Sequence, residues 1–133
     1  MDGVLIQPMV NGGVEVMIGV THDPQFGPLV AFGLGGIHVE ILGDIQFRIP
    51  PLTEQDAADM IRGIKGYRLL EGYRGQPAVD IAALEDTLLR ISRLVEEIPA
   101  ILEVDCNPVF ALPAGHGCRI VDARIRLNGR QAA

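Results

Sequence analysis

Two runs of alternating apolar and polar residues, joined by a short turn, constrain this chain more than any other stretch. Ile101-Leu102-Glu103-Val104-Asp105-Cys106-Asn107-Pro108 leads out, and Ile120-Val121-Asp122-Ala123-Arg124-Ile125-Arg126 leads back. Alternation at period two is the pattern of a strand with one buried face. Pro113-Ala114-Gly115-His116-Gly117 between them reads as a turn, because Pro and Gly interrupt both regular structures. A fold-back centred on Ala114 and Gly115 sets Glu103 against Arg126, Asp105 against Arg124 and Asn107 against Asp122, all on one face. Directly opposed residues have Cβ atoms roughly 4.5–5.5 Å apart. Two of these pairs are opposite charges, and the third puts a carboxylate beside an amide oxygen. Two oxygen ligands on a two-strand platform suit a hard cation such as Mg²⁺, which shares its remaining positions with water and phosphate. The alternative is the solvated face of an amphipathic hairpin, whose ion pairs are worth only about 0–1 kcal/mol. Pro108 removes a ladder donor and biases Asn107 towards extended backbone, so regular pairing is expected to stop there. A one-residue bulge near Pro108 is the expected way for this register to fail.

At 133 residues the chain is one domain's worth, enough for one moderate core. No apolar run approaches the roughly 20 residues of a membrane span, and Met1-Asp2-Gly3-Val4 has no basic leader character. Cys106 and Cys118 are out of register for a cross-strand bridge, so free thiols in a reducing, cytoplasmic setting are expected. The formal charge of −6 argues against nucleic acid or an anionic membrane as partner. An acidic chain can still bind a nucleotide if a cation comes with it.

In chain order, Val4–Val10 reads as a strand, Asn11-Gly12-Gly13 as a tight turn and Val14–Thr21 as a second strand. In the second, Val14, Val16, Ile18 and Val20 share one face, with Glu15, Met17, Gly19 and Thr21 on the other. Pro28–Phe32 makes a third strand. Gly33-Leu34-Gly35-Gly36 could bring backbone N–H groups up to phosphate, but it lacks the Lys-Ser/Thr of a P-loop and the spacing of a dinucleotide fingerprint, and reads rather as a connection or bulge. Ile37–Arg48 is ambiguous, and His38 among apolar neighbours reads as structural rather than catalytic. Thr53 caps a helix whose core stripe is Ala57, Met60, Ile61 and Ile64. Tyr67–Gly75 reads as a loop with a helical turn at Leu69-Leu70-Glu71. A long helix runs from a cap at Asp80 to Ile98, stopped by Pro99, with Ile81, Leu84, Leu88, Ile91, Leu94, Val95 and Ile98 as its apolar side. The expected fold is α+β: a mostly antiparallel sheet of four or five strands, covered on one face by two or three helices. Residues 127–133 are expected to be a disordered tail.

With these elements in place, the chain resembles the ATP-grasp domain of nucleoside-diphosphate-forming acyl-CoA synthetases, the ADP-forming acetyl-CoA synthetases and, more distantly, the succinyl-CoA synthetase β subunit. The likeness lies in Val4–Val20 (VLIQPMVNGGVEVMIGV), Asp23–Glu40 (DPQFGPLVAFGLGGIHVE), Ile64–Gly75 (IKGYRLLEGYRG), and LEVDCNP with VDARI in the hairpin. It covers nearly the whole chain and matches the C-terminal, second lobe of that fold over residues 1–126. The resemblance implies that Gln7 and Val10 lie on the strand beside the adenine, that Glu15 contacts the nucleotide, and that Asn107 and Asp122 are Mg²⁺ ligands. The implied cofactors are ATP or ADP with Mg²⁺, and the implied chemistry is phosphoryl transfer with Mg²⁺ on the β- and γ-phosphates. The first lobe, with its phosphate-cradling lysine, the CoA-binding domains and the phosphorylated histidine are not matched here. The chain is therefore expected to be a fragment, inactive alone, whose open face carrying Gln7, Glu15, Asn107 and Asp122 is left exposed or covered by a second copy. A synthetase-like, ligand-binding region of a multidomain protein acetyltransferase is the alternative, and an unrelated α+β binding module a third reading. The acyl group is not legible in this stretch.

Overall fold

The computed structural model describes residues 13–35, 44–72, 75 and 77–128. Two facing strands begin the described part: β1 (Val14–Asp23) and β2 (Gly27–Leu34) pair antiparallel from Val16–Leu34 to Asp23–Gly27. The turn between them is closed by Asp23, whose carboxylate accepts the N–H groups of Gln25 and Phe26, the local bonding that makes Asp a turn residue. β3 (Ile45–Arg48) pairs with β2. Three helices follow: α1 (Glu54–Gly63), α2 (Tyr67–Leu70) and α3 (Ile81–Glu97). The chain then returns as β4 (Ile101–Ala111), β5 (Cys118–Ile120) and β6 (Ala123–Leu127). Strand order is β3-β2-β1-β4-β5, with β6 also on β4, and every pairing is antiparallel. The sheet thus has six described strands rather than four or five, because β5 and β6 both pair with β4 as an interrupted return arm and β3 emerges from the ambiguous stretch. The expected strand at Val4–Val10 lies outside the described residues, as do Gln7, Val10 and His38.

Helix α1 starts as its sequence demands. Thr53 accepts the Asp56 N–H at 3.0 Å and Asp56 returns the favour to the Thr53 N–H at 2.9 Å, a reciprocal capping box. Its Ala57, Met60 and Ile61 are buried, as is Ile64 just beyond it. Along α3, Leu84, Leu88, Ile91 and Val95 are buried against the sheet while Ile98, the last of the apolar series, is 43% exposed because the helix stops there. These side chains meet Val16, Ile18, Val30, Phe32, Leu34, Val104 and Val109 in one core on a single face of the sheet. Burying a side chain of this size contributes about 1.5–3 kcal/mol. Ser92, buried on α3, accepts the Leu52 N–H at 2.9 Å and so ties the helix to the segment entering α1.

Two details differ from the expectations. The helical turn expected at 69–71 lies at Tyr67–Leu70. Its approach is held by Asp44, a buried carboxylate that accepts the Lys65 and Gly66 N–H groups at 2.6 and 2.7 Å. The tail assigned to residues 127–133 begins too early: Leu127 pairs with Ile101 in β6, and the Asn128 N–H donates to the Ala100 carbonyl at 2.7 Å. Among the described residues no helix is long and apolar enough to cross a membrane.

The cysteines give a direct test of the register. Cys106 faces Ala123 and Cys118 faces Ala111, and neither is bridged. Burial, helped by neighbouring Asp105, pushes the Cys106 thiol up, so its reactive thiolate is scarce. Cys118 is half-buried, 3.3 Å from the Thr87 hydroxyl. A disulfide reagent at neutral pH should therefore modify Cys118 first, with Cys106 released only on unfolding. Mass spectrometry of peptides taken at successive times reads the order; equal labelling of both would contradict this packing.

Candidate functional site: a two-oxygen site on the bare face of the sheet

Opposite the helices, the sheet presents a face without covering elements among the described residues. β4 carries Glu103 and Asp105 there, β1 carries Glu15, Met17 and Thr21, and β6 carries Arg124 and Arg126. The hairpin register holds from Glu103 inward to Ala111 and shifts by one only at the outer end, where Ile101 pairs with Leu127. Glu103 faces Arg126 and Asp105 faces Arg124 on one side of the interruption, and Val109 faces Ile120 on the other. Across the interruption the Asn107 N–H donates to the Asp122 carbonyl and the Val121 N–H to the Pro108 carbonyl, both at 3.1 Å. Asn107 therefore stands opposite Asp122, and both side chains are exposed.

The bulge exists, but on the other flank of β4. Against β1, Val109 pairs with Val16 and Cys106 with Ile18, so Asn107 and Pro108 together oppose Met17. An extra residue on one strand shifts the phase of what it buries. Accordingly Val104 and Cys106 point into the core before the bulge, and Val109 and Ala111 after it. Asn107 stays on the bare face at the point where the phase changes.

Electrostatics on this face are mild. Arg126 donates to Glu103 at 3.0 Å and holds that carboxyl below its usual range. The Arg124 guanidinium lies 4.0 Å from the Asp122 carboxylate, both well exposed. A contact so long and wet is worth little and does not compete with a divalent ion for Asp122. Among the described residues no three His, Cys, Asp or Glu side chains cluster to form an all-protein metal cage. An amide oxygen opposite a carboxylate is instead a partial donor set. It fits Mg²⁺, which leaves most positions to water and phosphate, and does not fit Zn²⁺, whose structural sites take four N or S ligands.

Glu15 lies opposite Phe110, three residues along β4 from Asn107 and thus roughly 10 Å away on the same face. Its backbone carbonyl accepts the Gly35 N–H at 2.9 Å. That N–H is committed to the sheet ladder, which favours the connection reading of the glycine segment at this residue. A shallow depression of about 330 Å³ adjoins, lined by Met17, Gly19, Thr21, Ala31 and Phe47, with Glu103 and Asp105 at its rim. Sequence reasoning missed this hollow, whose floor depends on small residues from two paired strands; Gly19 and Ala31, paired between β1 and β2, were the available signal.

Among the described residues, helices on one face and a bare, oxygen-bearing face on the other define an α+β lobe. The chain belongs to the ATP-grasp family: a family model described as an ATP-grasp domain matches residues 1–127. The β subunit of acetate–CoA ligase (ADP-forming) II from Pyrococcus furiosus is 56% identical over 128 residues, covering 96% of this chain and 54% of that subunit. The 4-hydroxybutyrate–CoA ligase (ADP-forming) of Nitrosopumilus maritimus is 47% identical over 127 residues, covering 96% of this chain and 18% of that protein. Among solved structures, acetyl-coenzyme A synthetase 1 of Candidatus Korarchaeum cryptofilum, in complex with coenzyme A and Mg-AMPPCP, superposes with a TM-score of 0.81 at 53% identity, over 86% of this chain and 53% of that one. The chain thus spans about half the length of the nearest-sized of these relatives and less than a fifth of the longest.

Proposed function

We propose that this chain is the nucleotide- and Mg²⁺-binding half of the ATP-grasp domain in a cytoplasmic ADP-forming acyl-CoA synthetase, which interconverts acyl-CoA, ADP and phosphate with the free acid, CoA and ATP. The observation that carries the reading is the pair Asn107 and Asp122, directly opposed and exposed on the bare face of an ATP-grasp lobe. Asn107 and Asp122 would hold the ion through one amide and one carboxylate oxygen. When bound, Mg²⁺ supplies charge neutralisation for the β- and γ-phosphates during phosphoryl transfer. Glu15 would meet the nucleotide further along the same face, and Gln7 and Val10 the adenine side. The remaining parts, a first ATP-grasp lobe and CoA-binding domains, would come from the rest of the protein, so the chain alone is expected to turn nothing over. The relatives named for acetate and for 4-hydroxybutyrate are similarly close over this stretch, which supports acyl selection elsewhere in the protein. They are ligases, and it is the ligase reading rather than the acetyltransferase-associated one that they support.

The complete protein is expected to form ATP from ADP, phosphate and an acyl-CoA in a Mg²⁺-dependent reaction, followed by coupled ATP detection over a panel of short-chain and aromatic acyl-CoAs. No ATP from any of them, with no thioester formed in the reverse direction, would refute the proposal.

A further inference from the structure

We infer that Gly35 is a positioning residue for Asn107, keeping its side-chain oxygen aimed at the ion; the inference rests on the reading of Asn107 as a metal ligand. Gly35 follows the last residue of β2, and its backbone is fixed by the Leu34–Val16 pairing and by the bond from its own N–H to the Glu15 carbonyl. A Cβ built on Gly35 would lie 3.1 Å from the Val16 carbonyl oxygen and 3.3 Å from Asn107 Oδ1. Both distances are tighter than ordinary carbon–oxygen contact, so a neighbour must give way.

Which one gives is decided by what holds each. Val16 is fully buried and laddered to β2 on one side and to β4 on the other, so its carbonyl cannot retreat without moving three strands. Asn107 is exposed and sits on the bulge, where regular pairing to β1 lapses. Its side chain can rotate, and it would carry Oδ1 away from the position it holds beside Gly35. The missing side chain at Gly35 and the extra residue in β4 are thus two parts of one arrangement. The bulge lets the Asn107 amide lean across β1, and Gly35 leaves room for it. Groups that orient a metal ligand without touching the metal typically change affinity by about 10–100-fold when altered.

The test uses the complete protein and Mn²⁺ as the probe, with binding measured by electron paramagnetic resonance in the presence of a non-hydrolysable ATP analogue. Gly35→Ala is expected to weaken Mn²⁺ binding about tenfold and to raise the Mg²⁺ concentration needed for half-maximal activity, with the melting midpoint also lowered because turning Asn107 away leaves the new Cβ 3.1 Å from the Val16 carbonyl oxygen. Asn107→Ala should weaken binding at least as much, and the double variant no more than Asn107→Ala alone, since residues acting through one contact are not additive. Unchanged Mn²⁺ affinity in Gly35→Ala beside a weakened Asn107→Ala would overturn the role of Gly35 and leave the metal ligand standing. Unchanged affinity in Asn107→Ala would remove the ligand reading and this inference with it. Should Gly35→Ala fail to fold, the double variant decides: recovery of folding identifies the Asn107 contact as the one that crowds, whereas failure assigns it to the Val16 carbonyl and defeats the inference.

Discussion

Asp122→Ala in the complete protein is expected to lower ATP formation by at least about 1,000-fold while leaving the fold in place. The magnitude follows from what a bound divalent ion contributes to phosphoryl transfer, several kcal/mol of charge stabilisation, of which about 4 kcal/mol corresponds to a thousandfold in rate. The small stability effect follows from the surroundings of the side chain. Asp122 is exposed, and its nearest charged partner is Arg124 at 4.0 Å. Its backbone carbonyl, which accepts the Asn107 N–H, is untouched by the substitution, so the hairpin keeps its register. Exposed substitutions of this kind usually stay within about 0.5 kcal/mol. Activity and thermal melting measured on the same preparation separate the two effects. A variant with normal activity would remove Asp122 from the metal site, and one that melts far below the parent would mean the carboxylate supports structure rather than chemistry.

The pairing of Asn107 with Asp122 was legible in the sequence because it depends on local information alone. Both arms alternate at period two, and the turn residues between them sit at the midpoint, so a single assumption sets the pairs from Glu103–Arg126 inward. What β4 does on its other side was not legible. Its register against β1 depends on strands about ninety residues apart, and although Pro108 marked a place for a bulge, nothing within the hairpin says that it falls on the β1 side. For the same reason the glycine segment could be read only as loop or phosphate cradle. That Gly35 lies against Asn107 requires β2, β1 and β4 to be laid side by side. Asp44 was hidden differently: in a stretch without clear periodicity, nothing marks a carboxylate that will be buried under two backbone N–H donors at Lys65 and Gly66. The helices were easier, since caps and stripes are local. Even so, Asp80 was recognised for only half of what it does.

That second half makes Asp80→Ala the largest expected loss of stability. One carboxylate oxygen caps α3, accepting the Ala83 N–H at 3.1 Å. The other reaches the β4–β5 turn and accepts the N–H groups of Gly117 at 2.8 Å and Gly115 at 3.2 Å. Both glycines adopt positive φ, +88° and +81° in chain order, a conformation that costs a glycine little and other residues more. The Asp80 N–H also donates to the Leu112 carbonyl at 2.8 Å, so helix and turn meet at this one residue. Losing a helix cap costs about 0.5–2 kcal/mol, and hydrogen bonds to a charged group contribute about 1.5–3 kcal/mol each, less where water can replace them. Because Asp80 is only half-buried and the three bonds share one side chain, the total is expected at about 2–4 kcal/mol rather than their sum. Asp80→Asn should recover the cap, since Asn serves there nearly as well, but not the charge-assisted bonds to the turn, and so fall between. Urea unfolding of the three proteins measures the order. If Asp80→Asn matched the parent, the turn would be held by its backbone bonds alone; if it matched Asp80→Ala, the charge rather than the cap would be what anchors α3 to the hairpin that carries Asn107 and Asp122.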